Sequence, residues 1–250
     1  MLAAERRNHI VRLLSSTGTV TVSQLSDEFG VTAETIRRDL DILEQENLLR
    51  RIHGGAVALQ NRQEVPFDIR SETNVEEKRL IAQKAARFVE PGDTLFIDIS
   101  STAMFFAKEI CKIPDITVIT NSLIIALEFI DKKDVTLIST GGTLRPNSYS
   151  LVGPLANTAI KNYRADKFFC SCRGFSLDHG VSDSNELENE VKKTMLQQSS
   201  KLYLLMDHSK FGETGLAQFA NAADIDVLFC DNRLAEEDLR AIKMAGVTVL

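Results

Sequence analysis

The sequence predicts an α/β protein in two parts: a small helical domain with a β-hairpin, then a larger domain with a mostly parallel sheet. Apolar residues recur at helical spacing in residues 3–16 and 31–43, residues 19–22 are β-prone, and a Gly-Gly pair divides two further β-prone pieces in residues 48–58. From residue 75 onward, short apolar strands alternate with helical stretches, which is typical of a parallel sheet covered on both faces. We therefore expect domains at 1–58 and 75–250, joined by a polar linker at 59–74.

The composition is that of an ordinary globular chain. Of its 250 residues, 44% are apolar and 26% are charged. The sequence lacks a run of about 18 apolar residues that would cross a membrane, and its N-terminus lacks the apolar region of a secretory signal. The four cysteines have neither disulfide-like nor zinc-ligand spacing with the histidines. We expect a reduced, cytoplasmic protein without a metal or a cofactor.

The charge balance argues against nucleic-acid binding driven by overall charge. The net charge is −6, and residues 1–60 carry seven Arg and no Lys against eight acidic residues. Binding to DNA would therefore depend on a local cluster. Arg37, Arg38, Arg50 and Arg51 form such a cluster in the sequence.

Residues 31–43 predict a capped helix that presents arginines. Thr32 is placed to cap the first turn, and Val31 and Ile36 have the spacing of a hydrophobic staple. One face of the helix is apolar, and the opposite face carries Glu34, Arg37, Arg38 and Asp41. An arginine-bearing helix can enter a DNA major groove. Taken alone, this stretch is more often a solvated surface helix.

The flanking segments favour the DNA-binding interpretation. A helix over residues 3–16 carries Arg6, Arg7 and Arg12, which we expect to face solvent. A short helix over 24–29, with Ser23 as its expected cap, ends at Gly30, and the arginine helix follows at once. Asn47 would close that helix, and residues 48–58 predict a wing of two strands. This is a winged helix-turn-helix pattern. The predicted DNA contacts are Ser23, Gln24, Thr32, Ala33, Thr35, Arg37, Arg38, Arg51 and His53.

A resemblance becomes specific in this region. The run Thr35–Leu40, followed by Leu43-Glu44, Leu49 and His53–Ala56, resembles the signature of the DeoR family of bacterial transcriptional regulators. Asn47 stands where that family commonly has Gly. The segment Pro66–Arg70 is also similar to the family, which implies that part of the linker docks on one of the domains.

Polar residues gather where four predicted strands of the second domain end. These are the stretches 98–102, 120–122, 139–145 and 207–210. Ligands of open α/β sheets bind beyond the carboxyl ends of the strands, and helix N-termini there bind phosphate. Each stretch alone is more often a helix cap or a turn, but four together favour a ligand pocket. Arg145 or Lys210 would neutralise a phosphate, whereas Asp98 and Asp207 would bind sugar hydroxyls because they repel phosphate.

The same stretches resemble the DeoR-family sensor domain, with matches that include Thr140–Gly142, Leu151–Pro154 and Asp207–Gly212. The resemblance implies a domain related to ribose phosphate isomerase and the CoA transferases, which binds a phosphorylated sugar effector. Ser100–Thr102 and Cys170–Gly174 depart from the commoner family residues. The expected effector contacts are Asp98, Ser100, Ser101, Thr102, Thr120, Asn121, Gly141, Gly142, Arg145, Lys192, Asp207 and Lys210.

Two functions compete at this point. One is a repressor of a carbohydrate-utilisation operon that binds double-stranded operator DNA and is released by a phosphorylated sugar. The other is a sugar-phosphate isomerase or transferase with an attached DNA-binding domain, in which Asp98, Asp183, Glu188 and His208 would supply acid and base. The resemblance implies that catalytic machinery is absent. An RNA-binding regulator lacks support because no aromatic stacking motif is present. With one helix-turn-helix per chain, we expect a homodimer or homotetramer that reads paired half-sites.

Overall fold

The computed structural model describes residues 2–46, 48–57 and 64–250. The chain divides into two compact units, Met1–Thr73 and Asn74–Leu250. Asn47, the expected end of the arginine helix, and residues 58–63 of the expected wing end and linker lie outside the described residues. Within the described ranges, no helix is both long and apolar enough to cross a membrane.

The first unit is a winged helix-turn-helix, as predicted. Its elements in chain order are α1 Ala3–Thr17, β1 Thr19–Thr21, α2 Val22–Phe29, α3 Ala33–Gln45, β2 Arg50–Ile52, β3 Gly55–Val57 and α4 Phe67–Glu72. The three strands form an antiparallel sheet in the order β1-β3-β2. Fully buried apolar side chains from α1, α2 and α3 fill the core between the helices, among them Ile10, Leu25, Ile36 and Leu40.

The local signals around the turn are those expected, with one correction. Gly30 adopts φ 63°, and the Thr32 hydroxyl accepts a hydrogen bond from the Thr35 N–H at 3.3 Å. The prediction that Ser23 caps α2 is wrong. The helix begins at Val22, so the capping hydroxyl is that of Thr21, which accepts from the Gln24 N–H at 3.2 Å. Ser23 lies exposed in the first turn of the helix.

The segment before the second unit is partly helical, which corrects the expected linker at 59–74. Helix α4 buries Phe67 and Ile69, at 3% and 4% exposure, and Ile69 packs into the core of the first unit. An ion pair between Arg12 of α1 and Glu72 also holds this helix. The polar composition of the segment gave no sign that Ile69 packs on the DNA-binding fold.

The second unit contains a seven-stranded parallel sheet, which confirms the predicted fold class. Its helices are α5 Val75–Ala86, α6 Ser101–Ile110, α7 Leu123–Phe129, α8 Pro154–Lys161, α9 Glu186–Gln197 and α10 Glu236–Met244. Its strands are β4 Thr94–Ile97, β5 Ile116–Thr120, β6 Val135–Ser139, β7 Thr143–Arg145, β8 Ser150–Val152, β9 Lys167–Cys170, β10 Gly174–Ser176, β11 Gly180–Asp183, β12 Leu202–Met206, β13 Ala217–Ala220, β14 Val227–Cys230 and β15 Thr248–Val249.

The strand order of the large sheet, β15-β14-β12-β9-β4-β5-β6, creates a topological switch point. The chain enters at β4 and moves outward through β5 and β6. It then returns to β9, on the other side of β4, and moves outward in the opposite direction. A crevice therefore opens between the carboxyl ends of β4 and β9, where ligands bind in open α/β sheets. The hairpin β7-β8 and the small sheet β10-β11-β13 lie in stretches for which the sequence predicted no strands.

Candidate functional site

The exposed face of α3 presents two arginines. The side chains of Arg37 and Arg38 are 52% and 78% exposed, and both lie near Glu34 at N–O distances of 3.5 and 3.8 Å. Exposed pairs of this kind are weak. Both guanidinium groups can therefore exchange Glu34 for a phosphate or a base edge at little cost.

A groove runs between α3 and the wing formed by β2 and β3. It is lined by Val22, Arg37, Asp41, Glu44, Arg51, Ile52, His53 and Gly54. The wing is fixed to the helical core by its backbone, because the Val22 N–H donates to the Gly54 carbonyl at 2.8 Å and the Arg51 N–H donates to Glu44 Oε1 at 2.7 Å. The Arg51 side chain forms an ion pair with Asp41. The groove thus combines two cationic and two anionic side chains.

The predicted DNA contacts all keep some exposure on α2, α3 or the wing. Exposed positions are Ser23, Gln24, Thr32, Arg37, Arg38 and His53, and half-buried positions are Ala33, Thr35 and Arg51. Thr35 is partly engaged within the protein, since its hydroxyl lies 2.9 Å from that of Thr32. The predicted set therefore surrounds the start of α3 and the groove beside it.

In the second unit, a buried carboxylate lies at the switch point. Asp98 follows β4 and is fully buried. Its Oδ1 accepts from the Ser100 N–H at 3.1 Å and from the Ser100 hydroxyl at 2.7 Å, and its Oδ2 accepts from the Ser171 N–H at 3.1 Å. Lys192 Nζ approaches the same Oδ2 at 2.8 Å. Asp98 thereby joins the loop after β4 to the loop after β9 and holds the two loops in place.

Lys192 is the cation of a triad with the buried Asp98 and the half-buried Asp183. Its Nζ lies 2.5 Å from Asp183 Oδ2 and donates to the Ser171 carbonyl at 2.8 Å, in addition to its contact with Asp98. Burial lowers the pKa of Lys192, but the charges of Asp183 and Asp98 outweigh burial and raise the pKa well above its ordinary value. The ammonium is therefore charged, and it holds both carboxylates beneath the crevice.

Hydroxyl groups lie where the strands meet the next helices. Ser100 caps α6 by accepting from the Ala103 N–H at 3.1 Å, and Ser101 and Thr102 are buried in its first turn. After β5, the Thr120 hydroxyl donates to the Ile97 carbonyl at 2.8 Å, and Asn121 Nδ2 donates to the Leu151 carbonyl at 3.0 Å. These bonds fix the loops after β4 and β5 at one edge of the sheet, next to the N-terminus of α6.

Arg145 has a partner that the sequence did not predict. Its Nη1 pairs with Oε1 of the buried Glu188, and the same Oε1 accepts from Ser148 and, at 2.7 Å, from the Ser150 hydroxyl. Gly141 and Gly142 precede the hairpin, with φ values of 66° and 124°. Arg145 therefore neutralises a buried carboxylate in this structure, and its contact with a phosphate stays a prediction.

The end of β12 brings a second carboxylate, Asp207, and a second ammonium group, Lys210, to the crevice. Asp207 Oδ1 accepts from the Ser209 N–H at 3.1 Å and from Asn74 Nδ2 at 3.2 Å, and Lys210 Nζ donates to the Cys172 carbonyl at 2.8 Å. Burial raises the pKa of Asp207, but Lys210, the Ser209 hydrogen bonds and Lys78 together lower it below its ordinary value. Lys210 thus reaches the loop after β9.

Sequence reasoning missed one residue of the crevice. Ser171 is 1% exposed in the loop after β9, and its hydroxyl has no hydrogen-bond partner among the residues that the structure describes. Its neighbours Cys170 and Cys172 are buried and free. Ser171 comes directly after strand β9, so its position at a strand end could have identified it as a candidate hydroxyl of the crevice.

A winged helix-turn-helix joined to an α/β unit with a polar switch point defines a DNA-binding transcriptional regulator with a sensor domain. Residues 6–62 match the DeoR-like helix-turn-helix domain, and residues 73–232 match the DeoR C terminal sensor domain. The chain belongs to the DeoR family of transcriptional regulators.

Relatives over the full chain are regulators. The chain is 42% identical over 250 residues to the uncharacterized HTH-type transcriptional regulator YulB of Bacillus subtilis, covering 100% of this chain and 96% of the relative. It is 31% identical over 231 residues to the glycerol-3-phosphate regulon repressor of Escherichia coli, covering 92% of each. A structure of D-ribose-5-phosphate isomerase shares 16% identity at a TM-score of 0.42, over 55% of this chain and 54% of that one. The full-length relatives support the regulator and not the enzyme.

Proposed function

We propose that the protein represses an operon of carbohydrate utilisation and leaves its operator when a phosphorylated sugar binds the second unit. The observation that carries this proposal is the switch point, where the α6 N-terminus meets buried hydroxyls and the Lys192 triad. The relative named as a glycerol-3-phosphate regulon repressor supports a phosphorylated effector.

The phosphate would lie at the first turn of α6, where Ser101 and Thr102 present hydroxyl and N–H groups. Lys210 is the cation that we assign to it, because Arg145 already neutralises Glu188. The hydroxyl of Ser171 would bind the sugar from the opposite wall of the crevice. Asp98 and Asp207 would act mainly by holding the loops around the sugar, since they accept hydrogen bonds from protein groups.

Repression requires coupling between the two units. An effector weakens DNA binding only if it binds the DNA-incompetent arrangement more tightly, and a tenfold loss of operator affinity corresponds to about 1.4 kcal/mol of coupling. We infer a homodimer or homotetramer on paired half-sites about 10.5 bp apart or multiples of this spacing. The cytoplasm is where we expect it to act, because its DNA partner is there.

The test begins with an operator selected from random duplex DNA by the full-length protein. Operator affinity is then titrated with sugar phosphates and with the matching unphosphorylated sugars. We expect release with a phosphorylated sugar only, and a raised melting temperature with the same compound because it binds the native state. Thr102→Val combined with Lys210→Met should retain operator binding but lose release. Lys243→Met, on the exposed face of α10, serves as the matched control.

Two results would contradict this proposal. If the double variant leaves the operator at the same effector concentration as wild type, the phosphate does not bind at the first turn of α6. Conversion of the sugar phosphate into a product would favour the enzyme function instead. Sedimentation of the protein, free and on DNA, distinguishes the dimer from the tetramer, and a monomer in both states would overturn the paired half-site model.

A further inference from the structure

The ion pair between Arg51 and Asp41 spans the groove of the DNA-binding unit. Asp41 lies on the solvent face of α3 and Arg51 on β2, with side chains 53% and 25% exposed. Arg37 lines the same groove. The pair therefore occupies the surface on which a DNA backbone would lie if α3 entered the major groove.

The position of the wing depends on the backbone of Arg51, not on its side chain. The Arg51 N–H donates to Glu44 Oε1 at 2.7 Å, and β2 pairs with β3 through the Arg51–Ala56 register. Within the described part of the chain, Arg51 Nε is buried and has no hydrogen-bond partner. Asp41 thus controls the direction of an incompletely satisfied guanidinium without being needed to hold the strand.

A carboxylate and a phosphate compete for the same guanidinium geometry. We propose that Asp41 is an internal competitor of the DNA backbone: it holds Arg51 in free protein, and a phosphate must displace it before Arg51 can bind DNA. The exchange is feasible because a partly exposed ion pair contributes little stability. Asp41 therefore lowers the sequence-independent affinity of the protein for DNA. The other two charged side chains of the groove, Arg37 and Glu44, balance each other.

The experiment measures binding of full-length protein to a fluorescein-labelled duplex of arbitrary sequence, by anisotropy, over a series of salt concentrations. The variants are Asp41→Asn, Arg51→Gln and the double variant. Glu236→Gln is the matched control, because it removes the same charge from an exposed Glu–Arg pair on α10, 2.9 Å from Arg240. Thermal unfolding of each variant, followed by circular dichroism, checks that the first unit remains folded.

We expect Asp41→Asn to tighten binding about two- to fivefold and to steepen the salt dependence by about one counterion. Neither change should appear when Arg51 is Gln, and Glu236→Gln should equal wild type. An equal gain with and without Arg51 would mean general repulsion by Asp41 and would overturn the proposal. Unchanged or weaker binding of Asp41→Asn would overturn it as well. These results need neither the operator nor the effector, so they are independent of the proposed repressor function.

Discussion

Arg6 of α1 and Asp39 of α3 form a buried ion pair in which Nε and Oδ2 lie 2.6 Å apart, with side chains only 9% and 6% exposed. The pair fixes the first helix against the helix that presents Arg37 and Arg38. In the run Arg37-Arg38-Asp39, both arginines face solvent, whereas Asp39 is buried and anchors α3 to α1.

Loss of Asp39 should therefore destabilise the DNA-binding unit. Asp39→Ala leaves Arg6 charged and without its partner in a buried place, which costs about 3–5 kcal/mol of unfolding free energy. Urea titration followed by circular dichroism measures this cost. Glu236→Ala, in an exposed pair on α10, should change the stability by less than about 0.5 kcal/mol. A cost for Asp39→Ala as small as that of the control would show that the pair contributes nothing.

Substitution of the exposed arginines should have the opposite pattern. Arg37→Ala and Arg38→Ala should each lose about 1–3 kcal/mol of operator affinity if the lost contact is bidentate to a base. Their stability should remain within about 0.5 kcal/mol of wild type, because both side chains are more than half exposed. Binding at matched salt, with Arg240→Ala as the control, measures the effect. Wild-type affinity in both variants would mean that this face of α3 does not contact the operator.

The triad of Lys192, Asp98 and Asp183 in the sensor unit allows a matched comparison on helix α9. Lys192→Met leaves Asp98 and Asp183 without their shared cation and should cost about 3–5 kcal/mol. The next residue, Lys193, is exposed, so Lys193→Met should be nearly neutral. Thermal unfolding of both variants provides the measurement. Equal melting temperatures would mean that the triad does not stabilise the fold.

Local patterns were sufficient to predict the strands of the large sheet but not the partners of the charged residues. The predicted alternation of short apolar strands and helices from residue 75 onward agrees with the structure, because short apolar runs between turn signals are local features. The burial of Arg6 was not predictable, since its partner lies 33 positions away. Arg145 was likewise expected to be available for phosphate, whereas Glu188, 43 positions away, neutralises it.

The strands of the second unit outside the large sheet were not predicted either, because they depend on how strands pair in the folded chain. Hairpin β7-β8 begins after Gly141-Gly142, a pair that the sequence places among the expected effector contacts. The φ of Gly142 is 124°, and a Cβ there would lie 2.6 Å from the Val152 carbonyl oxygen. The glycine is thus explained by the close approach of two strands. That approach depends on tertiary pairing, which a single sequence does not display.

The acid stability of the sensor unit should depend on Asp207. Its pKa is lowered, since Lys210, the Ser209 hydrogen bonds and Lys78 outweigh the effect of burial. A carboxyl with a lower pKa in the folded state than in the unfolded state adds stability above the unfolded value, about pH 3.9, and loses it as pH falls through the folded value. Asp207→Asn should therefore be destabilised at neutral pH, and its deficit should shrink in acid. Urea titrations at about pH 7 and about pH 3 measure this, with Asp178→Asn in an exposed turn as the control. A deficit of the same size at both pH values would mean that Asp207 stabilises the fold through packing and not through its charge.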